Sequence, residues 1–408
     1  MWIKSEDFEH AYLLGCEMFN YLSVSPVSIS GKLNFTEYNI VFQSLTLVYA
    51  GCFLIQLIYW LFVFPKVIFY KSVPSNIKRF PVSVIICARN EEANLRANLP
   101  LILEQDYPEY EVVVVNDASA DGTEDLLIDL QRQYSHLRST FIRESDHIRE
   151  GKKLALTIGI KAAKHDRLLL TDADCSPATN RWIYFMQQNF TRNNKIVLGY
   201  GGYRRGKGLV NLVSRYEAFF IALQYLGMSL AGHPYMGTGR NLAYRRALFF
   251  ENKGFAAHYE LASGDDDLFI NEVARKANTA IEIQPDSFTW SDTEKTWKGW
   301  YYQKKRHLTT GPRYRFSTKL VVGLELMSRL LFYPAFIFLL VFHVLIPYML
   351  GLFIFRMLLT SVIIKLAMGR LNEKYLLLPS PLLDFALPWV HLFMVFSNYV
   401  ETKRARWK

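Results

Sequence analysis

An α/β domain on a mostly parallel sheet, flanked by transmembrane helices, is predicted for this chain by three observations. Short apolar runs alternate with amphipathic stretches between about Pro81 and Leu170. That is the pattern of strands buried on both faces and joined by crossover helices. Several of these runs stop abruptly at a polar cluster. Long apolar stretches lie outside this region, near the N-terminus and beyond residue 319, as membrane spans would.

The elements follow in order. Val82 to Ala88 is a continuous apolar strand, and Glu91 to Glu104 a helix. Glu111 to Val115 is a second buried strand ending at Asn116-Asp117, and Asp121 to Gln133 a helix with an acidic first turn, which suits the positive end of its dipole. Ser139 to Ile142 is a short third strand, Gly151 to Lys164 an amphipathic helix, and Arg167 to Leu170 a fourth strand that runs into Asp172-Ala173-Asp174. Parallel strands place Arg89-Asn90-Glu91, Asn116-Asp117 and the paired acids at one edge of the sheet, where ligands of open α/β sheets bind. Two carboxylates one residue apart suit a hard divalent cation, which commonly carries a phosphate. Capping of a turn or helix is the alternative use of each Asp.

Other classes are excluded. There is no GxxxxGK[ST] loop and no GxGxxG after the first strand, so neither a P-loop nor a dinucleotide-binding oxidoreductase is expected. Cys16, Cys52, Cys87 and Cys175 are scattered, without metal-ligand spacing or a disulfide framework; Cys175 reads as an incidental small residue.

Of the 408 residues, 51% are hydrophobic and the net charge is +10; mean hydropathy is +0.06. The basic residues cluster beside the apolar stretches, which points to a cytoplasmic membrane surface and its lipids and not to nucleic acid. Ile40 to Phe64 carries no charge and is long enough to span a bilayer. The preceding residues 1–39 are acid-rich, while Lys66, Lys71, Lys78 and Arg79 follow the span. The positive-inside rule then places 1–39 outside and a domain over 65–318 in the cytoplasm of a plasma or inner membrane. The late start of the apolar core argues against a cleaved signal peptide. Residues 319–408 form a C-terminal membrane region of two or three spans. Leu330 to Phe355 is expected as one span. Met357 to Met368, with Lys365, completes a second or lies at the interface, and Tyr375 to Val400 is interrupted by Pro379, Pro381, Asp384 and Pro388. The basic tail Lys403, Arg404, Arg406 and Lys408 favours two crossings over three.

Three segments carry further chemistry. Gly237 to Arg246 is a Gly-rich turn entering a strand. Gly264-Asp265-Asp266-Asp267 opens a helical pattern; three acids suit a helix N-terminus, and their mutual repulsion raises at least one pKa into the range of a general base. Trp297, Trp300, Tyr301 and Tyr302 precede Gln303-Lys304-Lys305-Arg306-His307, predicting an interfacial helix near 293–308.

Taken in order, Val84 to Glu92, Asn116 to Thr123, Gly151 to Leu156 and Thr171 to Asp174 resemble the family 2 glycosyltransferases of GT-A fold, over about Pro81 to Gly311. Among them are membrane polysaccharide synthases and ceramide glucosyltransferases. The resemblance implies a UDP- or GDP-linked sugar donor. Ala88, Arg89, Asn90, Glu91 and Asp117 would hold the nucleoside, with Asp117 on the base and Lys152 near the base or diphosphate. Asp172 would contact ribose or metal, and Asp174 would ligate Mg²⁺ or Mn²⁺. Gly239, Arg240 and Asn241 would line the acceptor pocket. Asp266 would be the general base, with Asp265 in reserve. Thr157 stands where relatives carry Asn and receives no role. Gln303 and Arg306 match a QxxRW motif that steadies the diphosphate, but His307 replaces its Trp at the acceptor site. The implied reaction is metal-dependent, inverting transfer to a lipid-linked or glycan acceptor, forming a β-glycoside in cell-envelope polysaccharide or glycolipid synthesis. The altered ring weighs against a processive synthase that extrudes a polysaccharide. A non-catalytic membrane scaffold or transport protein is the rival of another class.

Overall fold

The computed structural model describes residues 35–72, 78–143, 151–261 and 263–400. Most of the expected outer segment 1–39 and the basic tail from 401 onward lie outside the described residues.

Two compact units divide the chain, one of them formed by 59–323 with 361–408. Its strands are β1 (Val82–Ala88), β2 (Tyr110–Asp117), β3 (Leu137–Ile142), β4 (Arg167–Leu170), β5 (Ser176–Pro177), β6 (Ile196–Leu198), β7 (Gly201–Tyr203), β8 (Leu242–Arg245), β9 (Thr279–Ile281) and β10 (Thr289–Ser291). The main sheet runs β3-β2-β1-β4-β8-β6-β9, and β5, β10 and β7 form a small second sheet. β1 to β4 are mutually parallel where they pair, with Val82 beside Tyr110, Ala88 beside Asn116 and Ile85 beside Leu170. In the main sheet β8 runs antiparallel to both its neighbours, β4 and β6. β1 and β4 have the bounds their apolar runs predict. β2 is longer because Asn116 and Asp117 still pair with Phe141 and Ile142 of β3.

Helices Glu92–Leu103 and Thr123–Gln133 bury Leu95, Leu99, Ile102, Leu126, Leu127 and Leu130 against Val84, Val112 and Val114 of the sheet. The helix Lys152–Ala162 comes unusually near the strands at Gly159. A Cβ there would stand 2.7 Å from an Ile85 methyl and 2.9 Å from a Val115 methyl, closer than carbon atoms pack. That approach seats the first residue of this helix, Lys152, at the functional edge.

Helix Leu209–Leu230 is the polar hub of this unit. Buried Glu217 accepts from Trp300 Nε1 at 3.2 Å and lies 3.0 Å from Lys304 Nζ and 2.9 Å from His391 Nε2. Arg215 is paired with Glu373, which also accepts from Tyr200 Oη at 2.9 Å. Helix Trp297–His307 and the last helix, Ser380–Val400, are held to the hub by these charges. Lys305 Nζ adds a 3.1 Å bond to Ser397 Oγ.

The other unit comprises residues up to Ile58 with Leu324–Thr360. Its core is aromatic: Tyr49 stacks on Phe332 at 4.8 Å and Phe336 on Phe353 at 4.2 Å. Arg356 is buried in it, donating to Gln56 Oε1 at 2.8 Å and Tyr333 Oη at 2.6 Å.

Among the described residues, four helices are long and apolar enough to cross a membrane: Ile40–Phe69, Phe316–Val341, Ile346–Arg370 and Ser380–Asn398. The one span expected over Leu330–Phe355 is therefore two helices. The chain turns between them, with His343 at φ 60° and Leu345 at φ 46°. The apolar run hides this turn, but Pro347 in the first turn of the next helix marks it. Met357–Met368 is the second half of that helix. Of the prolines thought to interrupt the last segment, only Pro388 sits well inside its helix; Pro381 falls in the first turn, where it is tolerated.

Candidate active site

The loops after β1 and β2 are stitched together before any ligand is considered. Asn90 adopts φ 56° and Ala118 φ 51°. The Asn90 amide donates to Ser119 Oγ at 2.9 Å, and Asn90 Oδ1 accepts from the Ala120 amide at 2.7 Å. Buried Asn116 accepts from the Ser119 amide at 3.2 Å. The Asn90 side-chain oxygen is thus spent on fixing the loop, while Arg89 stays exposed beside it. Asp117 is buried at the end of β2; burial raises its carboxyl pKa, with Arg89 opposing.

Lys152 joins this edge to the acid triplet. Its ammonium lies 2.7 Å from Asp172 Oδ1 and 3.2 Å from Asp265 Oδ2. Burial alone would depress it, but Asp172, Asp265 and Asp266 outweigh burial and hold it well above the usual lysine range. Lys152, expected near the base or diphosphate, stands between the carboxylates of Asp172 and Asp265 in a small cavity that Cys87, Leu170, Asp172, Gly239 and Asp266 also line. The next residue, Lys153, is buried and points elsewhere. Its ammonium donates to the carbonyls of His258 and, at 2.9 Å, Leu261, organising the chain that leads into the acids.

The three acids have three different fates. Gly264 makes the turn before them at φ 100°, where a Cβ would meet Leu268 Cδ1 at 2.5 Å, so only glycine serves. Asp265 is buried against Lys152, whose charge overcomes burial and lowers its pKa. Asp267 is buried and accepts from Thr310 Oγ1 and, at 2.7 Å, Tyr314 Oη. Asp266 alone is partly exposed. Its carboxylate caps the helix Asp267–Val273, accepting from the Asp267 amide at 2.8 Å and the Gly239 amide at 2.7 Å. Burial, then the neighbouring Asp265 and Asp267, push its pKa up to about 7, the range of a working general base.

Arg240 and Asn241 part company. The Arg240 guanidinium stacks on Tyr203 at 4.2 Å, and its carbonyl is pinned by Thr171 Oγ1 (3.0 Å) and Thr289 Oγ1 (2.9 Å). Asn241, expected in an acceptor pocket, is fully buried. Its amide donates to the Tyr200 and Ser287 carbonyls at 2.9 and 2.8 Å and accepts from Trp182 Nε1 at 3.1 Å. Its polar atoms are thus occupied inside the fold, tying β8 to the segments of Tyr200, Ser287 and Trp182.

On the helix Trp297–His307, Arg306 and His307 are exposed at the C-terminal end and Gln303 is half-buried one turn earlier. Thr310 Oγ1 bonds both the His307 carbonyl, at 2.9 Å, and Asp267, so this helix end is anchored to the acid triplet. Lys304, Thr310, Tyr314, Glu217 and His391 were not picked out from the sequence. Burial of a lysine between Trp300 and His307 is visible only once Glu217 is in place.

Asp172, Asp174 and Cys175 each offer one donor atom, all within 4.8 Å of one another. Ligands about 2.0–2.4 Å from one ion lie roughly 3–4.8 Å apart, so these residues fit a single divalent cation. Burial first, and then the charge of Asp172, raise the Asp174 pKa to about 6, with Arg240 opposing. Asp174 must be ionised to ligate, so protons compete with metal below that value. Mn²⁺ affinity, followed by electron paramagnetic resonance, is expected to fall about tenfold from pH 7.5 to pH 5. A pH-independent affinity would contradict the assignment of Asp174.

Residues 83–251 match the family model Glycosyl transferase family 2. The chain is 27% identical over 258 residues to "Probable glycosyltransferase YdaM" of Bacillus subtilis, covering 58% of each. It is 22% identical over 228 residues to poly-beta-1,6-N-acetyl-D-glucosamine synthase of Staphylococcus epidermidis, covering 55% of this chain and 53% of that one. It thus spans a little over half the length of these curated relatives. In structure it is similar to the mannosyltransferase PcManGT from Pyrobaculum calidifontis, solved with GDP-Man and Mn2+, with a TM-score of 0.59 at 19% identity over 90% of this chain and 99% of that one; at this identity the likeness is one of fold.

Proposed function

Starting from a chain whose residues 83–251 form a family 2 glycosyl transferase domain of GT-A fold, we propose an inverting, metal-dependent transferase. It moves a sugar from a nucleoside diphosphate to a lipid-linked or glycan acceptor at the cytoplasmic face of the membrane. One observation carries the reading. Of three adjacent acids, Asp265 is neutralised by Lys152 and Asp267 is held by Thr310 and Tyr314. Asp266 alone remains open to solvent, with its pKa near neutrality.

Asp266 takes the proton of the acceptor hydroxyl as its oxygen attacks the anomeric carbon and the bond to the diphosphate breaks. The Gly239 and Asp267 amides fix the orientation of that carboxylate and leave lone pairs for the incoming hydrogen. Asp117, Arg89 and Glu91 hold the nucleoside at the ends of β1 and β2. Asp174, with Asp172, would hold a divalent cation, which when bound would neutralise charge on the leaving diphosphate. Arg306 adds a fixed positive charge to the same group, and His307 borders the acceptor. An α-linked donor yields a β-glycoside.

The test is nucleoside-diphosphate release from a panel of UDP- and GDP-sugars, using membranes that carry wild type or Asp266→Asn. Turnover of at least one donor by wild type only is expected. No turnover of any donor, or an active variant, overturns the reading. A processive β-glycan synthase is the second reading, favoured by the name of the Staphylococcus relative. A product ladder of many sugars, in place of a single addition, would decide for it.

A further inference from the structure

Cys175 sits beside both metal-binding carboxylates, and the proposed reaction gives it no task. It is 1% exposed. The chain doubles back at this point, the Cys175 amide donating to the Asp172 carbonyl at 3.1 Å, and this turns the thiol toward the two carboxylates. Sγ lies 3.4 Å from Asp174 Oδ1 and belongs to the same three-donor group as the Asp172 and Asp174 oxygens. A pair of oxygen donors alone discriminates weakly among hard divalent ions, but a sulfur donor does not. Mg²⁺ demands a near-ideal octahedron of oxygens, whereas thiolate favours softer ions of the later first row.

Burial, then the charges of Asp174 and Asp172, favour the protonated thiol, with Arg240 opposing, so the proton gives way only to a bound ion, whose charge the site can balance. Lys152 already covers one oxygen of Asp172 at 2.7 Å, and the Arg240 guanidinium acts on Cys175, Asp174 and Asp172 alike. Two carboxylates and a thiolate would face these two cations, so an added divalent ion leaves the group with net positive charge, as a diphosphate requires. A site without Lys152 and Arg240 would carry three anions against one ion.

We propose that Cys175 is a sulfur ligand to the cation of this site, giving a donor set of Asp172, Asp174 and Cys175 that selects thiophilic divalent ions over Mg²⁺. The inference rests on the metal reading above. On binding, the S–H bond gives way to a metal–sulfur bond and the proton leaves to solvent; no oxidant or reductant is involved.

The experiment is a Co²⁺ titration of the purified full chain in detergent, followed by calorimetry and by absorption. One Co²⁺ is expected to bind wild type with a near-ultraviolet sulfur-to-cobalt charge-transfer band. Cys175→Ser is expected to lose the band and to bind Co²⁺ about tenfold or more weakly, with Mg²⁺ affinity changed by less than about twofold. Cys87→Ser, on the neighbouring cavity wall, is expected to keep the band. Stoichiometric Co²⁺ binding to wild type without the band overturns this inference and leaves the metal reading standing. So does a band that survives in Cys175→Ser or vanishes in Cys87→Ser. Failure of wild type to bind either Co²⁺ or Mn²⁺ overturns the metal reading and this inference together.

Discussion

Asp266→Asn is expected to cost turnover about 10²–10⁴-fold, the usual contribution of a positioned general base, and at the same time to raise the thermal midpoint at pH 8. Both follow from the same crowding. The folded state lifts the Asp266 pKa from 3.8 to about 7, so between those values the native state binds protons that the unfolded chain does not. Stability therefore falls as pH rises through this window, and the full penalty of ionising Asp266 beside Asp265 and Asp267 is in place above about pH 7. Asparagine removes the charge but keeps only one of the two acceptors, since the Gly239 amide bonds Oδ2 and the Asp267 amide bonds Oδ1. Relief of the repulsion should outweigh that lost bond at pH 8, giving a gain of a few degrees, whereas near pH 4 the variant should melt at or below wild type. Nucleoside-diphosphate release, with the apparent midpoint taken at matched scan rate in detergent, reads both. A variant that turns over within severalfold of wild type, or melts lower at pH 8, contradicts the roles given to the triplet.

The largest stability effect should come from outside the cleft. Glu217→Ala leaves Lys304 buried without its carboxylate and strips His391 and Trp300 of their acceptor. Breaking one partner of a buried ion pair costs about 3–5 kcal/mol, a large fraction of the stability of any domain. Burial opposes ionisation of Glu217, but Lys304 and His391 overcome it and hold the pKa at about 2, against 4.5 ordinarily. The stabilisation is therefore complete above pH 4.5 and is lost as pH falls toward 2, so wild type and variant should converge on acidification. Denaturant midpoints at pH 7 and pH 3 measure this. The double variant Glu217→Leu with Lys304→Met should recover much of the loss; if it is as unstable as Glu217→Ala, the ion pair is not the cause.

The sheet was legible where apolar runs end on charge. β1 and β4 stop where Arg89 and Asp172 forbid further burial, and parallel pairing then puts Ala88, Asn116 and Asp172 at one edge without further information. The triplet was legible as a cluster, but its division was not. Which acid stays open depends on Lys152, more than a hundred residues earlier in the chain, and on Thr310 and Tyr314 after it. Asn241 misled for a related reason. A polar residue after a glycine turn reads as a lining residue, yet its amide is consumed by Trp182, Tyr200 and Ser287, which periodicity does not bring near. The turn at 342–345 was hidden by composition, since both flanking helices are apolar and Pro347 was the one local mark of the second.

The hub on helix Leu209–Leu230 bears on modularity. Glu217 needs His391, and Arg215 needs Glu373, and both partners come after the third apolar helix in the chain. Trimming the chain ahead of Glu373 would not release a self-sufficient catalyst; it would leave Arg215 in the interior with its counter-ion gone and Glu217 short of a partner. Nor could the last helix be exchanged for an arbitrary anchor of equal length and greasiness. A replacement would have to present a nitrogen base at the level of His391, and the segment ahead of it would have to keep the acid of Glu373, so the α/β unit and the end of the chain are a single heritable unit, free to diverge only together.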